Sequence, residues 1–141
     1  YYDSNELSVL NRRIVFPIYD QFNNFVSFQG RAFFDYKAEK KPKYIHSSFD
    51  KSKVLYGLNY AKRDILDRGY VVLVEGQFDV LACYEAELPA VALSGLALSE
   101  YQKFLLRQYT NKVIMWLDND KIGIKRTEEI GKELINYDFE I

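Results

Sequence analysis

The sequence predicts an α/β chain: a mainly parallel sheet flanked by helices, preceded by a small mixed α+β basic lobe. Three observations carry this. From Tyr70 onward, short apolar runs alternate with stretches of helical length, the rhythm of a parallel sheet with covered faces. Before Tyr70 the pattern is that of a hairpin followed by charged loops. Charge divides the same way: residues 1–68 hold 12 Lys/Arg against 8 Asp/Glu, and residues 69–141 hold 7 against 12. The basic excess is sharpest over 31–63, with 9 positive and 3 negative residues. We therefore expect a basic lobe over 1–68 and an α/β domain over 69–141, with polyanion binding in one half and metal binding in the other.

RIVFPIY reads as a strand, DQFNN as a polar turn and FVSFQGRAFF as a second strand. Pro17 cannot donate to a ladder, which puts the first strand at an edge or a bulge. DYKAEKKPK is a charged loop, and KYI a short strand. A helix is expected over 59–67, stopped by Gly69. YVVLV, PAVAL and KVIMWL are the strands of the second half. The helices between and after them are expected over 78–87, 99–109 and 122–137. Ser99 with Gln102 fits a capping box. Phe139 is expected to begin a fourth strand.

Composition narrows the function classes. The chain is 48% apolar and 16% aromatic, enough for a sizeable core. No apolar run approaches the ~20 residues of a membrane span, and no secretory signal opens the sequence. Cys83 and His46 are the only Cys and His, so neither a disulfide framework nor a zinc site within this chain is expected. An intracellular setting is the default. Cys83 is expected in the core, and so is Trp116, which lies in a strand of buried type. Lys40 and Lys41 are expected in a solvated loop, and solitary His46 in hydrogen bonding or phosphate contact rather than catalysis.

The chemistry gathers at the acids. Glu75 follows YVVLV directly, and Asp118 and Asp120 follow KVIMWL. All three are therefore expected at the carboxyl ends of strands in one parallel sheet, where ligand sites of such sheets lie. Asp79 sits one turn into the next helix. Residues i and i+2 of an extended chain point the same way, so Asp118 and Asp120 are expected to converge. Unpaired carboxylates in an apolar setting repel and resist ionising. A hard divalent cation such as Mg²⁺ would compensate them and build a phosphoryl-transfer site. Two other readings compete. In the first, Asp118 and Asp120 serve as helix N-caps and turn formers. Alternatively, Asp118, Asp120, Gly123 and Glu129 follow the skeleton of a calcium loop, although Ile122 offers no ligand at its fifth position.

VLVEGQFDVLAC followed by VIMWLDNDKIG resembles the Toprim signature: an apolar strand ending in Glu-Gly, then one ending in Asp-x-Asp. RRIVFPIYDQFNNFVSFQGRAF, KPKYIHSS and KSKVLYGL resemble the basic lobe that precedes Toprim in bacterial-type (DnaG-like) DNA primases, and AVALSGLALSEYQKFLL resembles a later primase segment. The resemblance runs from about Arg12 onward. Gln29, His46 and Asn119 depart from the common Gly, Asn and Gly of that family.

This resemblance implies a Toprim domain over 69–141 and a catalytic-core fragment of a DNA-dependent primase that makes short RNA primers. It implies catalytic and metal-binding roles for Glu75, Asp118 and Asp120, with Asp79 supporting and Mg²⁺ or Mn²⁺ as cofactor. It implies template and nucleotide binding by Arg31, Lys43, Tyr44, Lys51 and Lys53. The implied partners are single-stranded DNA template, ribonucleoside triphosphates and, for the parent protein, a replicative helicase. The implied setting is cytoplasmic, at a bacterial nucleoid or in a phage-infected cell, with no membrane. Family members continue beyond the Asp-x-Asp helix into a further acidic motif. The Toprim domain is thus expected to be truncated at its carboxyl end and the site weakly metallated. A Toprim nuclease, the primase half of a phage-like primase–helicase, and a non-catalytic nucleic-acid-binding module are the alternatives.

Overall fold

The computed structural model describes residues 9–93, 95 and 97–141. The first eight residues of the expected basic lobe lie outside them. The chain forms two compact units. The first comprises, of the described residues, 9–18 and 25–49, and the second 19–24 and 50–141.

The first unit is built on a sheet of three strands in the order β1-β2-β3, with β1 Arg13–Tyr19, β2 Phe25–Ala32 and β3 Tyr44–His46. Pro17 sits in β1, an edge strand, as its missing donor requires. Phe16 and Ile18 are buried, giving the period of two expected of a half-covered strand. The intervening turn is closed by Asp20, whose Oδ1 accepts from the backbone N–H of Phe22 and Asn24. β2 and β3 are antiparallel, with Arg31 opposite Tyr44. The second strand ends at Ala32, earlier than its apolar sequence suggested, because the chain turns at Phe34 (Tyr36 N–H to Phe34 O, 2.8 Å).

The second unit contains α1 Leu58–Arg68, β4 Val71–Val74, α2 Gln77–Glu85, β5 Ala90–Ala92, α3 Glu100–Arg107, β6 Val113–Met115 and α4 Lys121–Ile135. Its strands run β5-β4-β6, and both pairings are parallel. Central β4 is buried along its whole length. Val71, Leu73 and Val113 enter a core with Leu106, Ile130 and Leu134. α1 ends at Gly69, whose φ of 74° is the left-handed value expected at a helix stop. The Ser99 capping box is present: Ser99 Oγ accepts from Gln102 N–H, and Gln102 Oε1 accepts from Ser99 N–H. Beyond β6, Glu140 makes a single parallel bridge with Lys112 at the place where a fourth strand was expected. Among the described residues, no helix is long and apolar enough to cross a membrane.

The expected division at 68/69 falls inside this second unit, because KSKVLYGL is pinned to it. Gln102 Nε2 donates to the carbonyls of Lys51 and Val54, and Ser99 Oγ donates to that of Ser52. Tyr56 bridges Ala92 antiparallel at the edge of β5. Gly57 has φ 93°, and a Cβ there would lie 2.8 Å from the carbonyl oxygen of Ala90, so the close approach needs glycine.

One expectation is corrected. Trp116 is 62% exposed, not core. β6 is not buried on both faces: Val113 points into the core, while Ile114 and Trp116 alternate to the other face and are 50% and 62% exposed. Cys83, by contrast, is buried as expected.

Lys103 on α3 keeps only 2% of its side chain exposed. Its Nζ donates to Glu100 (2.5 Å) and Glu133 (2.7 Å) and lies 4.5 Å from the centroid of the Tyr137 ring. The Tyr137 hydroxyl donates in turn to Glu100. Burial pushes the Lys103 pKa down, but the hydrogen bonds to Glu100 and Glu133 outweigh it and hold it above the ordinary value. A raised folded-state pKa gives stabilisation that is complete below the unfolded value of 10.5 and fades as pH rises through the folded one. We expect the double change Glu100→Gln/Glu133→Gln, which strands a buried ammonium, to cost about 2 kcal/mol in urea unfolding at neutral pH. Lys103→Met, which keeps the packing, should cost less than about 1 kcal/mol.

Candidate functional site

The register of the parallel sheet brings the expected acids to one end. Leu73 pairs with Met115 and Val74 with Ala92, and Trp116 N–H donates to the carbonyl of Leu73. Glu75 and Asp118 therefore leave neighbouring strands side by side. They touch: Asp118 N–H donates to Glu75 Oε1 at 3.3 Å.

Three of the four acids also have structural work. Asp120 is the N-cap of α4, and its Oδ1 accepts from Ile122 N–H (3.0 Å) and Gly123 N–H (2.7 Å). Asp79 closes the first turn of α2 by accepting from Gly76 N–H at 2.9 Å. Of the two acids read as possible caps, Asp120 is thus one. Glu75 Oε2 accepts from Arg126 Nη1 at 3.1 Å, and the two side chains are only 22% and 18% exposed. Arg126 lies on α4, and its Nη2 also donates to Gly95 O (2.7 Å). Sequence reasoning missed Arg126. The only signal was its spacing, six residues past Asp120 on the helix that Asp120 caps.

The donor set suits a hard cation, since it is all oxygen and stands at strand carboxyl ends. Glu75, Asp118 and Asp120 would be the residues to hold it, with Asp79 nearby. Among the described residues, however, no group of three or more acid, His or Cys side chains is arranged to hold a metal ion. Of the two acids expected to converge, Asp120 engages its Oδ1 in the cap of α4.

A cavity of about 350 Å³ opens beside these acids, lined by Asp79, Cys83, Trp116, Asp118 and Asn119 among others. Burial, and then the neighbouring Asp79, push the Cys83 thiol above its ordinary pKa, so it is no activated nucleophile.

The expected basic residues divide between the units. In the first, Arg31 and Lys43 flank Tyr44, with the guanidinium carbon 6.0 Å and the ammonium 5.6 Å from its ring centroid. In the second, Lys51 and Lys53 stand exposed on a single 3₁₀ turn capped by Asp50, which lies 3.3 Å from Lys53 Nζ. Hydrogen bonds from Ser52 hold the Asp50 carboxyl below its ordinary pKa. A second basic cluster escaped the sequence reading. Arg12, Arg13 and Lys41 surround the ring of Phe34 at 4.7, 5.3 and 5.6 Å, in a groove of about 450 Å³. Lys41 lies in an exposed loop, as expected, and there it also pairs with Glu39. His46 Nδ1 lies 3.0 Å from the carbonyl of Ser47, in hydrogen bonding as expected.

A parallel sheet flanked by helices, with acids at its strand ends, is the architecture of a Toprim-like domain, and residues 72–141 match the Toprim-like family model. Residues 2–62 match the model of the N-terminal domain of the DNA primase catalytic core. DNA primase of Campylobacter jejuni is 39% identical over 118 residues, which cover 80% of this chain and 19% of that protein. The crystal structure of the Aquifex aeolicus primase, with its zinc-binding and RNA polymerase domains, superposes with a TM-score of 0.84 at 36% identity, over 94% of this chain and 33% of that one. A DnaG primase catalytic domain bound to single-stranded DNA superposes with a TM-score of 0.71 at 32% identity, over 83% of this chain and 37% of that one. The chain belongs to the bacterial-type DNA primases, matching the N-terminal and Toprim parts of their catalytic core. It spans about a fifth of the Campylobacter protein's length.

Gly123 tests the strand-end loop. A Cβ there would run into the carbonyl group of Asp118. Gly131, further along α4, has room: its Cβ would lie 3.6 Å from Met115 Sδ. Gly123→Ala should lower stability by about 2 kcal/mol through steric conflict. Gly131→Ala should raise it by about 0.5–1 kcal/mol through helix propensity. Thermal unfolding of the two variants reads this difference in sign.

Proposed function

We propose that this chain is part of the catalytic core of a primase that copies single-stranded DNA into short RNA primers from ribonucleoside triphosphates. The observation that carries the reading is the adjacency of Glu75 and Asp118 at neighbouring strand ends, with Asp120 heading the next helix. The primase relatives and the single-stranded DNA bound to one solved relative support the substrate class. Glu75, Asp118 and Asp120 present carboxylate oxygen where phosphates would be handled. A bound Mg²⁺ or Mn²⁺ would supply Lewis-acid stabilisation of a phosphoryl oxygen. Arg31 and Lys43 offer cations to the phosphate backbone, and Tyr44 between them offers a ring on which a base stacks. Lys51 and Lys53 add positive charge on their own turn. A replicative helicase is the partner proposed for the full-length protein.

Template-directed primer synthesis by the full-length protein tests the acids. Asp118→Ala and Glu75→Ala should each lower the rate at least about a hundredfold, the scale of a lost electrostatic contribution. Retained synthesis in both variants would overturn the assignment. Fluorescence anisotropy with single-stranded DNA tests the basic residues. Arg31→Ala and Lys43→Ala should each weaken binding and reduce the slope of log affinity against log salt by about 0.7, one phosphate contact apiece. An unchanged slope would remove them from the interface.

A further inference from the structure

Among the described residues, Glu75 is the strand-end acid whose side chain is matched to a fixed cation. Arg126 Nη1 lies 3.1 Å from Oε2, and both groups are about four-fifths buried. The second carboxylate oxygen accepts from Asp118 N–H. Both oxygens of Glu75 are thus engaged within the protein. Arg126 is itself held, since Nη2 donates to Gly95 O and its helix starts at the Asp120 cap. A guanidinium is permanently charged and weakly hydrated, which suits it to a partly buried pair. A divalent cation would need a carboxylate oxygen at about 2.0–2.1 Å for Mg²⁺, with the guanidinium out of its way. Two cations sharing one monodentate oxygen in a largely buried site repel strongly.

We propose that Arg126 is the built-in counter-cation of Glu75, and that a divalent cation binds at the strand ends only by displacing it from Oε2. Arg126 thereby sets the metal affinity of the site: it orders Glu75 before metal arrives and weakens metal binding in proportion to the strength of the ion pair. The inference rests on the metal-site reading of the preceding subsection. It goes beyond that reading by naming a residue that no acid motif contains.

The test is Mn²⁺ binding to the chain itself, read by electron paramagnetic resonance of free Mn²⁺, with no activity measured. The proteins are the unaltered chain, Arg126→Gln, Arg126→Lys and Glu75→Gln. Arg126→Gln should bind Mn²⁺ about tenfold more tightly than the unaltered chain. Arg126→Lys should fall between them, and Glu75→Gln should lose binding. Thermal melting gives an independent readout: Arg126→Gln should melt lower than the unaltered chain in chelator and gain more than it on adding Mn²⁺. If the unaltered chain binds Mn²⁺ through Glu75 but Arg126→Gln binds equally or more weakly, the counter-cation role falls and the strand-end site stands. If none of the four proteins binds Mn²⁺, both fall.

Discussion

The hydrogen-bonded register of β4 between β5 and β6 is the constraint on which the second unit depends. Its four residues, Val71 to Val74, are buried, and each neighbour runs parallel to it. A parallel pair cannot slip by one residue without turning every side chain to the opposite face. With Val71 and Leu73 fixed in the core, the first residue past the strand has only one place to go. That residue is Glu75. The same register delivers Asp118 from β6 to hydrogen-bonding distance of it. The polar end of the sheet is therefore a product of its apolar middle.

The strand ends show how the protein holds acids together without letting them repel. Asp120 spends its charge on two helix N–H groups, where the positive end of the helix dipole favours it. Asp79 does the same at the start of α2. Glu75, more buried than either, meets a full positive charge from Arg126. Lys103 solves the converse problem near the other end of α4, where two exposed carboxylates and an aromatic ring surround a buried ammonium. α4 is thus tied by charge near both its ends.

Much of this was legible in the sequence, and the reasons differ by residue. The strand and helix order followed from apolar periodicity, and the Ser99–Gln102 box and the Gly69 stop followed from local chemistry that depends on few neighbours. The strand-end placement of Glu75 and Asp118 followed from topology. What stayed hidden depended on partners distant in sequence. Arg126 meets Glu75 across 51 positions, and Gln102 reaches back 48 to Val54. No local pattern encodes such pairs. Residues 50–68 read as part of a basic lobe on charge, yet the Tyr56–Ala92 bridge and the Gln102 side chain hold them against β5 and α3. Trp116 was misplaced for a related reason: an apolar run shows that a strand is apolar, not whether both of its faces are covered.

The exposure of Trp116 has a practical side. It is the only tryptophan of the chain, and it lines the same cavity as Asp79 and Asp118, two residues before the latter. Its indole is mostly in water. The molecule thus carries an intrinsic optical reporter at the strand ends. Its emission should shift to the blue when the cavity is dried or covered.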